Sequence, residues 1–583
     1  MPRIAVIEKD KCNPIGCGDY LCIKLCPVNR MGKECIIKGS DKKPVIDEAL
    51  CTGCGICQNR CPFNAISIIN LPEELESTPI HQYGKNGFHL YNLPTPIFGK
   101  VVGIIGKNGI GKSTAIKILA GVIKPNFGEL DTKETYTRLI EFFRGSEAQL
   151  YFEKMRDNKI KISYKPQQVD LIPKTHSGVV IDLLKRADEK RRLDEIAEIL
   201  NIKKVLDNDI GEVSGGELQR IAIAAAVLKK ANVYFFDEPT SYLDIKQRIM
   251  ISRFIQNLAD ENTAVMVIEH DLIILDYMTE LVHIMYGKPS CYGIVSQPKS
   301  TKAGINIYLS GYLKEENIRF RQSPIKFSAK PPVKQQKKDT LVSWHGVEKQ
   351  LGRFQLKSLK GEIEKHKVIG VLGENSIGKT SFVKILASII KPDRGFIDKK
   401  LTVAYKPQYL QASDELVANT LQEAIKKYDV QLIRPLELKP LLTKKLNELS
   451  GGELQRVAIS LCLSKEADLY LLDEPSAYLD VEQRLVTSRV IRDMIEQRGK
   501  SALIVDHDLL FIDYISDGLL VFEGTPAVHG QAEGPFSMED GMNRFLKDIG
   551  LTFRRDPESN RPRANKPGSQ LDQKQKREGK LYY

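Results

Sequence analysis

Short apolar runs bounded by glycine or charge recur along this chain, and they recur in pairs. Val101–Ile105 and Val368–Leu372 are rich in β-branched residues and free of polar ones, the pattern of strands buried on both faces. Val233–Phe236 pairs with Leu469–Leu472, and Ala264–Ile268 with Ala502–Val505, in the same way. An amphipathic helix is expected over Ala115–Gly121, close behind the first strand. At the N-terminal end, Ile4–Ile7 and Ala65–Ile69 read as edge strands that pair with each other. The longest purely apolar run, Ile221–Leu228, is far below the roughly 20 residues a membrane-spanning helix needs.

The pairing of runs reflects a duplication. Ser214-Gly215-Gly216-Glu217-Leu218-Gln219-Arg220 returns letter for letter at Ser450-Gly451-Gly452-Glu453-Leu454-Gln455-Arg456, and Asp237-Glu238-Pro239 returns at Asp473-Glu474-Pro475, both displaced by the same interval. Each first strand runs into a phosphate loop. One copy has Gly106, Asn108, Gly109, Gly111, Lys112, Ser113 and Thr114; the other has Gly373, Asn375, Ser376, Gly378, Lys379, Thr380 and Ser381. Backbone N–H groups of such a loop wrap phosphates, the lysine reaches the terminal ones, and Ser113 or Thr380 is placed to ligate Mg2+. Strand, loop and helix stand in the required order both times.

Downstream, Gln167 and Gln408 follow Lys-Pro and can reach Mg2+ and an attacking water. Asp237 and Asp473 end buried strands and are expected to bind the metal through water, leaving Glu238 and Glu474 to polarise the hydrolytic water. His270 and His507 follow these aspartates at matching distances and suit a γ-phosphate sensor. Between them, Ser241–Asp244 and Ala477–Asp480 form the loop expected to touch the opposite copy. Adenine stacking is assigned to Tyr83 or Phe88 in the first site and to Trp344 in the second.

The two copies are not identical. The interval from Gly106 to Gly373, which open the phosphate loops, is longer than that from Gln167 to Gln408, so copy one carries an insertion between loop and glutamine. It falls near Asp131–Lys161, where Tyr136–Phe143 and Ala148–Met155 look like two short helices around Arg144-Gly145-Ser146. A tolerated surface insertion is the alternative.

The formal net charge is +12 over 583 residues, unevenly spread. Asn317–Lys338 holds seven Lys or Arg and no acid, and Thr552–Tyr583 holds nine basic against four acidic residues. Such tracts are either solvated linker and tail or contacts to a polyanion, RNA being the most plausible. No secretory signal is evident, so a cytoplasmic location is expected.

Nine of the eleven cysteines lie before residue 62. Cys51, Cys54, Cys57 and Cys61 with Pro62 match the bacterial ferredoxin run without a change; Cys12, Cys17, Cys22 and Cys26 with Pro27 follow a looser version. In the ferredoxin pattern the last cysteine of each group crosses over. Carried across, Cys51, Cys54, Cys57 and Cys26 hold one 4Fe-4S cluster, and Cys12, Cys17, Cys22 and Cys61 the other. Cys35 is left over, and a pair of zinc sites is the alternative.

The order of phosphate loop, glutamine loop, Ser-Gly-Gly signature, Asp-Glu and His resembles that of ABC ATPases. Twin cassettes behind a module with two cluster patterns resemble the E subfamily, the ribosome-recycling ATPases also called RNase L inhibitors, in its archaeal type, and the resemblance spans essentially the whole chain. It implies an α/β protein of two tandem ABC-type nucleotide-binding domains, P-loop NTPases set head to tail, preceded by a ferredoxin-like α+β iron–sulfur domain. Expected bounds are 1–75 for the iron–sulfur domain, 76–290 and 339–530 for the cassettes, 291–338 for a linker and 531–583 for a C-terminal hinge and basic tail, with Gly293–Arg321 and Pro535–Arg555 matching the family's composite hinge.

The resemblance further implies two 4Fe-4S clusters, two ATP and Mg2+. Its partners would be the ribosome through the small subunit and ribosomal RNA, a release factor or its rescue paralogue, and initiation factors. The insertion resembles the family's helix-loop-helix that contacts the small subunit. The chain is expected to be a monomer whose cassettes form an internal pseudo-dimer, each signature heptad serving the ATP of the opposite phosphate loop. An ATP-gated iron–sulfur electron carrier is the competing reading. A coiled-coil DNA-repair ATPase is disfavoured by the short gap from Lys112 to Ser214, and a transporter subunit by the cysteine module.

Overall fold

The structure is a computed structural model and describes residues 3–70, 78–129, 136–325, 327, 339–398, 401–408 and 413–583. The C-terminal part of the basic tract Asn317–Lys338, including Pro331 and Pro332, and the first residues of the insertion lie outside the described residues.

In the N-terminal module Arg3–Ile7 pairs antiparallel with Ile66–Asn70, from Arg3 opposite Asn70 to Ile7 opposite Ile66. Short helices Leu21–Leu25, Pro27–Arg30 and Ile56–Arg60 carry cysteines toward a small core in which Ala5, Ile7 and Ile46 pack against Cys26, Cys35, Cys51 and Cys57.

Each repeat builds a sheet with the same parallel centre. In the first, the order is Leu281–Lys288, Val101–Gly106, Ala264–Ile268, Val233–Asp237, Ile162–Lys165. In the second it is Gly518–Thr525, Val368–Leu372, Ser501–Val505, Leu469–Asp473, Val403–Lys406. Helices cover both faces, which is why every residue of Val101–Gly106, Val233–Asp237 and Ala264–Ile268 is buried. The strand feeding the phosphate loop is central in both sheets, so loop, Asp-Glu turn and His turn emerge side by side.

The helix behind the first loop spans Lys112–Leu119, beginning earlier than the apolar pattern suggested, because Gly111 caps it at φ 91°. The insertion forms two helices, Tyr136–Phe142 and Glu147–Arg156, tied down by buried Leu139, Phe143 and Phe152 and by Tyr151, whose hydroxyl donates to the Leu119 carbonyl at 2.7 Å.

One hydrophobic core runs through both cassettes and the C-terminal segment, taking in Leu275, Tyr308, Ile512, Phe553 and Tyr582. The C-terminal segment departs from the expected basic tail. Beyond residue 552 the chain is folded: Phe553–Arg555 pairs with Pro562–Ala564 and a helix spans Gln570–Glu578. Arg561 and Arg563 are bound to Asp276, and Arg555 to Asp513, so these arginines are consumed by ion pairs and are not presented to RNA.

Candidate functional site: paired nucleotide clefts

A single cavity of about 1890 Å3 lies between the cassettes and is lined by both phosphate loops and both signature heptads. Asn108, Gly109, Gly111, Lys112, Ser113 and Thr114 face it with Gln167, Glu238 and His270; Asn375, Ser376, Gly378, Lys379, Thr380 and Ser381 face it with Gln408, Asp473, Glu474 and His507. Ser214, Gly215, Gly216 and Glu217, with Ser450, Gly451, Gly452 and Glu453, complete the lining. Gly106, Gly373 and Asp237 lie just behind the surface; the Gly106 and Gly373 carbonyls accept from Lys112 and Lys379 at 2.9 and 2.8 Å.

Both loops use a glycine where nothing else fits. Gly111 and Gly378 sit at φ 91° and 96°, and a Cβ on either would stand 2.7 Å from Phe88 or 2.9 Å from Phe354. Phe88 therefore packs on the loop, while Tyr83, 45 % exposed, holds its hydroxyl 3.2 Å from Thr114 Oγ1 at the cavity rim. Trp344 does not stack on a nucleotide: it is fully buried, donates Nε1–H to Ser358 Oγ at 2.8 Å and packs edge-on against Phe382. Its place upstream of the cassette's first central strand suggests a rim residue, but the strand that carries it, Thr340–Leu351, turns it into the core. The counterpart of Phe88 is Phe354, which the spacing could have found, since each precedes its loop glycine, Gly111 or Gly378, by nearly the same interval.

The carboxylates are held in place by their neighbours. Gln167 Nε2 donates to Glu238 Oε1 at 2.6 Å, and Gln408 Nε2 to Glu474 Oε1 at 2.9 Å. Glu238 and Glu474 both adopt φ 48°, a left-handed backbone rare for a non-glycine residue, as expected where a turn is over-determined for chemistry. Two further pairs that the sequence reading passed over pin these turns. Lys165 and Lys406 donate to the carbonyls of Asp237 and Asp473 at 2.9 and 2.7 Å, and Gln219 of the heptad donates to the Glu238 carbonyl at 2.6 Å, with Gln455 doing the same for Glu474. The duplicated Lys-Pro-Gln and the heptad glutamine were the available signals.

Ser113 lies beside Asp237 and offsets part of the rise that burial gives its carboxyl, Thr380 Oγ1 donates to Asp473 Oδ2 at 2.7 Å, and buried Asp237 Oδ1 has no partner. A hydroxyl beside a buried, incompletely satisfied carboxylate is the donor set a hard divalent cation takes, so these residues fit Mg2+. Both ring nitrogens of His270 and of His507 are likewise buried without a hydrogen bond. An orphaned buried imidazole fits an incoming phosphate oxygen.

The two sites differ electrostatically. His270 Nε2 stands 3.4 Å from Glu238 Oε1, and His507 Nε2 3.8 Å from Glu474 Oε1. Burial tends to raise the Glu238 carboxyl, but His270, Lys112 and Ser241 outweigh it and hold it down at about 2. Glu474 goes the other way, raised by burial and by Asp473. Burial keeps His507 neutral well below its usual range.

The loops expected to cross the interface do so. Asn108 N–H donates to Asp480 Oδ2 at 3.1 Å and Asn375 N–H to Asp244 Oδ2 at 2.9 Å, so each phosphate loop is bonded to the other cassette. Tyr242 and Tyr478 meet edge to face, ring centroids 6.5 Å apart, between the two clefts. Ser214 and Ser450 cap their helices in reciprocal boxes with Glu217 and Glu453, which leaves the helix N-termini pointing into the cavity.

In the N-terminal module, Cys12 feels Cys61 and Cys17, and Cys22 feels Cys12 and Cys17; Cys57 feels Cys51 and Cys54. Cys35, pushed up to about 12 by burial, stands against both Cys26 and Cys51. Cys61 thus lies beside Cys12, and Cys26 on the side of Cys35 and Cys51, while Cys57 also lies near Cys22, so the thiols form one continuous group. Ala65 N–H also donates to Cys61 Sγ at 3.4 Å. Among the described residues no three His, Cys, Asp or Glu side chains converge on a single ion. The module is docked on cassette one: Asn86 exchanges hydrogen bonds with Ile46 at 2.8 and 2.9 Å, and Glu8, Asp10 and Lys11 line the nucleotide cavity.

Two P-loop cassettes that share one cleft, each loop bonded to the other's Asp-bearing turn, define a twin-cassette ABC ATPase with an iron–sulfur module. Family models agree: that of the ABC transporter matches residues 98–241 and 356–477, that of the 4Fe-4S binding domain residues 44–67, and that described as "Possible Fer4-like domain in RNase L inhibitor, RLI" residues 2–34. The chain is 51 % identical to an uncharacterized ABC transporter ATP-binding protein of Methanocaldococcus jannaschii, covering 100 % of this chain and 97 % of the relative. It is 43 % identical to ABC transporter E family member 1 of Arabidopsis thaliana, covering 100 % and 99 %. A ribosome-bound model of archaeal Pelota and ABCE1 contains a chain that superposes with TM-score 0.93 at 52 % identity, covering 100 % and 99 %. A complex of archaeal stalk protein aP1 with the archaeal ribosome recycling factor aABCE1 superposes with TM-score 0.84 at 52 % identity, covering 88 % and 100 %. This chain belongs to the E family of ABC proteins, the RNase L inhibitor family.

Proposed function

We propose that the protein is an ATP-driven ribosome recycling factor, which separates the large and small subunits after termination or rescue and stays with the small subunit afterwards. The observation that carries this is the docking of the cysteine module on cassette one with Glu8, Asp10 and Lys11 at the rim of the shared cleft, where closure of the cassettes must move it. The related structures, a ribosome complex with Pelota and a recycling factor with a stalk protein, support translation over electron transfer.

In this reading, site one joins Lys112, Ser113, Gln167, Asp237, Glu238 and His270 to Ser450 and Gly452, and site two joins Lys379, Thr380, Gln408, Asp473, Glu474 and His507 to Ser214 and Gly216. The N–H groups at the start of each heptad helix bind the γ-phosphate held by the opposite loop, so only closure completes both contacts. Glu238 and Glu474 accept the proton of the attacking water, Gln167 and Gln408 orient it, and His270 and His507 donate to the γ-phosphate. Ser113 or Thr380, the glutamines and, through water, Asp237 or Asp473 would hold Mg2+, which would supply neutralisation of phosphate charge. Cys12, Cys17, Cys22 and Cys61 would hold one 4Fe-4S cluster and Cys51, Cys54, Cys57 and Cys26 another, which would supply rigidity to the module that closure drives. The partners are the small subunit and its RNA, a release factor or Pelota-like paralogue, and initiation factors, with the insertion helices as the small-subunit contact.

Ribosomes incubated with the protein, ATP and a release factor are expected to sediment as separate subunits; intact ribosomes throughout would refute the reading. A second expectation concerns pH. Burial lowers Lys379 to about 8, whereas bound phosphates restore its charge. Below pH 8 the lysine is already charged and binding takes up no proton; above it binding must take one up, and ATP affinity at site two falls by up to about tenfold per pH unit. Calorimetry in buffers of different ionisation enthalpy reads the proton uptake directly, and affinity flat from pH 7 to 9 would contradict it.

A further inference from the structure

The second residue of each phosphate loop carries a charge, and the two charges are opposite. Lys107 of cassette one reaches across the interface to Glu482 at 2.9 Å; Glu374 of cassette two reaches across to Lys246 at the same distance. Lys107 and Glu374 are equivalent because each directly follows the glycine that opens its loop, Gly106 or Gly373, and Lys246 and Glu482 because each stands two places after the aspartate of its crossing loop, Asp244 or Asp480. The cross-pairs are therefore charge-inverted copies of one another. Were cassette one to face a second cassette one in this geometry, Lys107 would meet Lys246; were cassette two to face its own copy, Glu374 would meet Glu482. Like charges at that separation repel in both homotypic arrangements, while both contacts of the observed one attract.

Each pair has a third member, and in both cases it belongs to a segment that joins the cassettes. Glu482 also accepts from Arg321 at 3.1 Å, and Arg321 Nη1 donates to the carbonyls of Tyr308 and Leu309, closing the end of the inter-cassette helix Thr301–Ser310. On the other side Lys246 stands 3.7 Å from Asp548 near the end of the C-terminal helix Met538–Ile549, at the edge of a second cavity of about 1230 Å3. Two alternating triads result, Lys107–Glu482–Arg321 and Glu374–Lys246–Asp548. Each runs from the lip of a phosphate loop, through the opposite cassette, to one of the two connecting segments.

We propose that these triads are the pairing code of the cassettes: they specify that cassette one closes on cassette two, and they tie closure at each phosphate-loop lip to the hinge segment behind it. None of the six residues is placed to touch the reacting phosphate; they are positioning residues. The proposal rests on ATP-driven closure, and the experiment separates the two.

The inter-cassette distance of the full-length protein is read by energy transfer between fluorophores on non-natural residues, one in each cassette, as ATP is titrated. Glu374→Lys sets two lysines face to face and is expected to raise the ATP concentration for half-closure about 3- to 10-fold, and Lys246→Glu likewise. The triple variant Glu374→Lys/Lys246→Glu/Asp548→Lys inverts the whole triad, restores both attractions and returns the midpoint to within about twofold of the parent, a rescue that a purely local packing role would not give. Added salt lowers the midpoint of the single variants and raises that of the parent, because screening weakens repulsion and attraction alike. Unchanged thermal unfolding of all variants assigns the effect to closure. Single variants that close at the parent's ATP concentration, or a triple variant that is no better than either single, overturn the proposal alone. A parent that does not close with ATP overturns the clamp and the proposal together.

Discussion

Replacing both Glu238 and Glu474 with Gln is expected to lower ATP turnover by roughly 10^2- to 10^4-fold while leaving ATP bound and the cassettes closed on the small subunit. The isosteric amide keeps the hydrogen-bonding shape that Gln167 and Gln408 see at 2.6 and 2.9 Å but cannot accept the water proton. The single variants are not expected to be equal. Glu238, held down at about 2 by His270 and Lys112 against its burial, is an ionised, paired carboxylate throughout the working range, whereas Glu474 is raised by burial and by Asp473. The steady-state ATPase of each single variant, measured side by side, reports which site limits turnover. Rapid ATP release from the double variant would argue against closure by shared phosphate contacts.

The second large effect concerns stability. Asp276 is buried and receives Arg561 Nη2 at 2.9 Å and Arg563 Nε at 2.6 Å, and Arg561 itself is fully buried. Asp276→Ala leaves that guanidinium in the core without its counter-charge, a change that costs about 3–5 kcal/mol. The expected readouts are a clear drop in the thermal midpoint and faster amide exchange across residues 553–583. Protection equal to the parent's would show that the clasp is held by packing alone. The clasp is two-sided: Asp513, at the equivalent place in the second cassette, binds Arg555 together with the hydroxyls of Tyr582 and Tyr583. Both aspartates follow their histidine, His270 or His507, at the same interval, on the helix that leaves the histidine turn.

Much of the site was legible because its chemistry is local. Gly111 and Gly378 are demanded by a left-handed turn, from which Lys112 and Lys379 reach back to the Gly106 and Gly373 carbonyls. The capped helix at Ser214–Glu217 was also written in the chain, as the hydroxyl-to-carboxylate spacing of a capping box. Trp344 shows where such reasoning fails. An aromatic upstream of a strand can pack inward or stand at a rim, and only the sheet that receives it, here with Ser358 and Phe382 waiting, decides. The tail shows a related limit: in the sequence Arg561 and Arg563 count as free charge, until Asp276, far away in the chain, is brought beneath them.

By itself, then, the sequence determined the duplication, the strand–loop–helix order and the two cysteine runs, since each depends on residues a few positions apart whose conformation is set by short-range sterics and hydrogen bonding. The tertiary structure alone decided which groups face one another: Asp244 on Asn375 and Asp480 on Asn108, Lys107 on Glu482 and Glu374 on Lys246, Asp276 under two arginines. Those contacts join residues far apart in the chain, and they are fixed by the packing of one cassette against the other, a burial that no local pattern encodes.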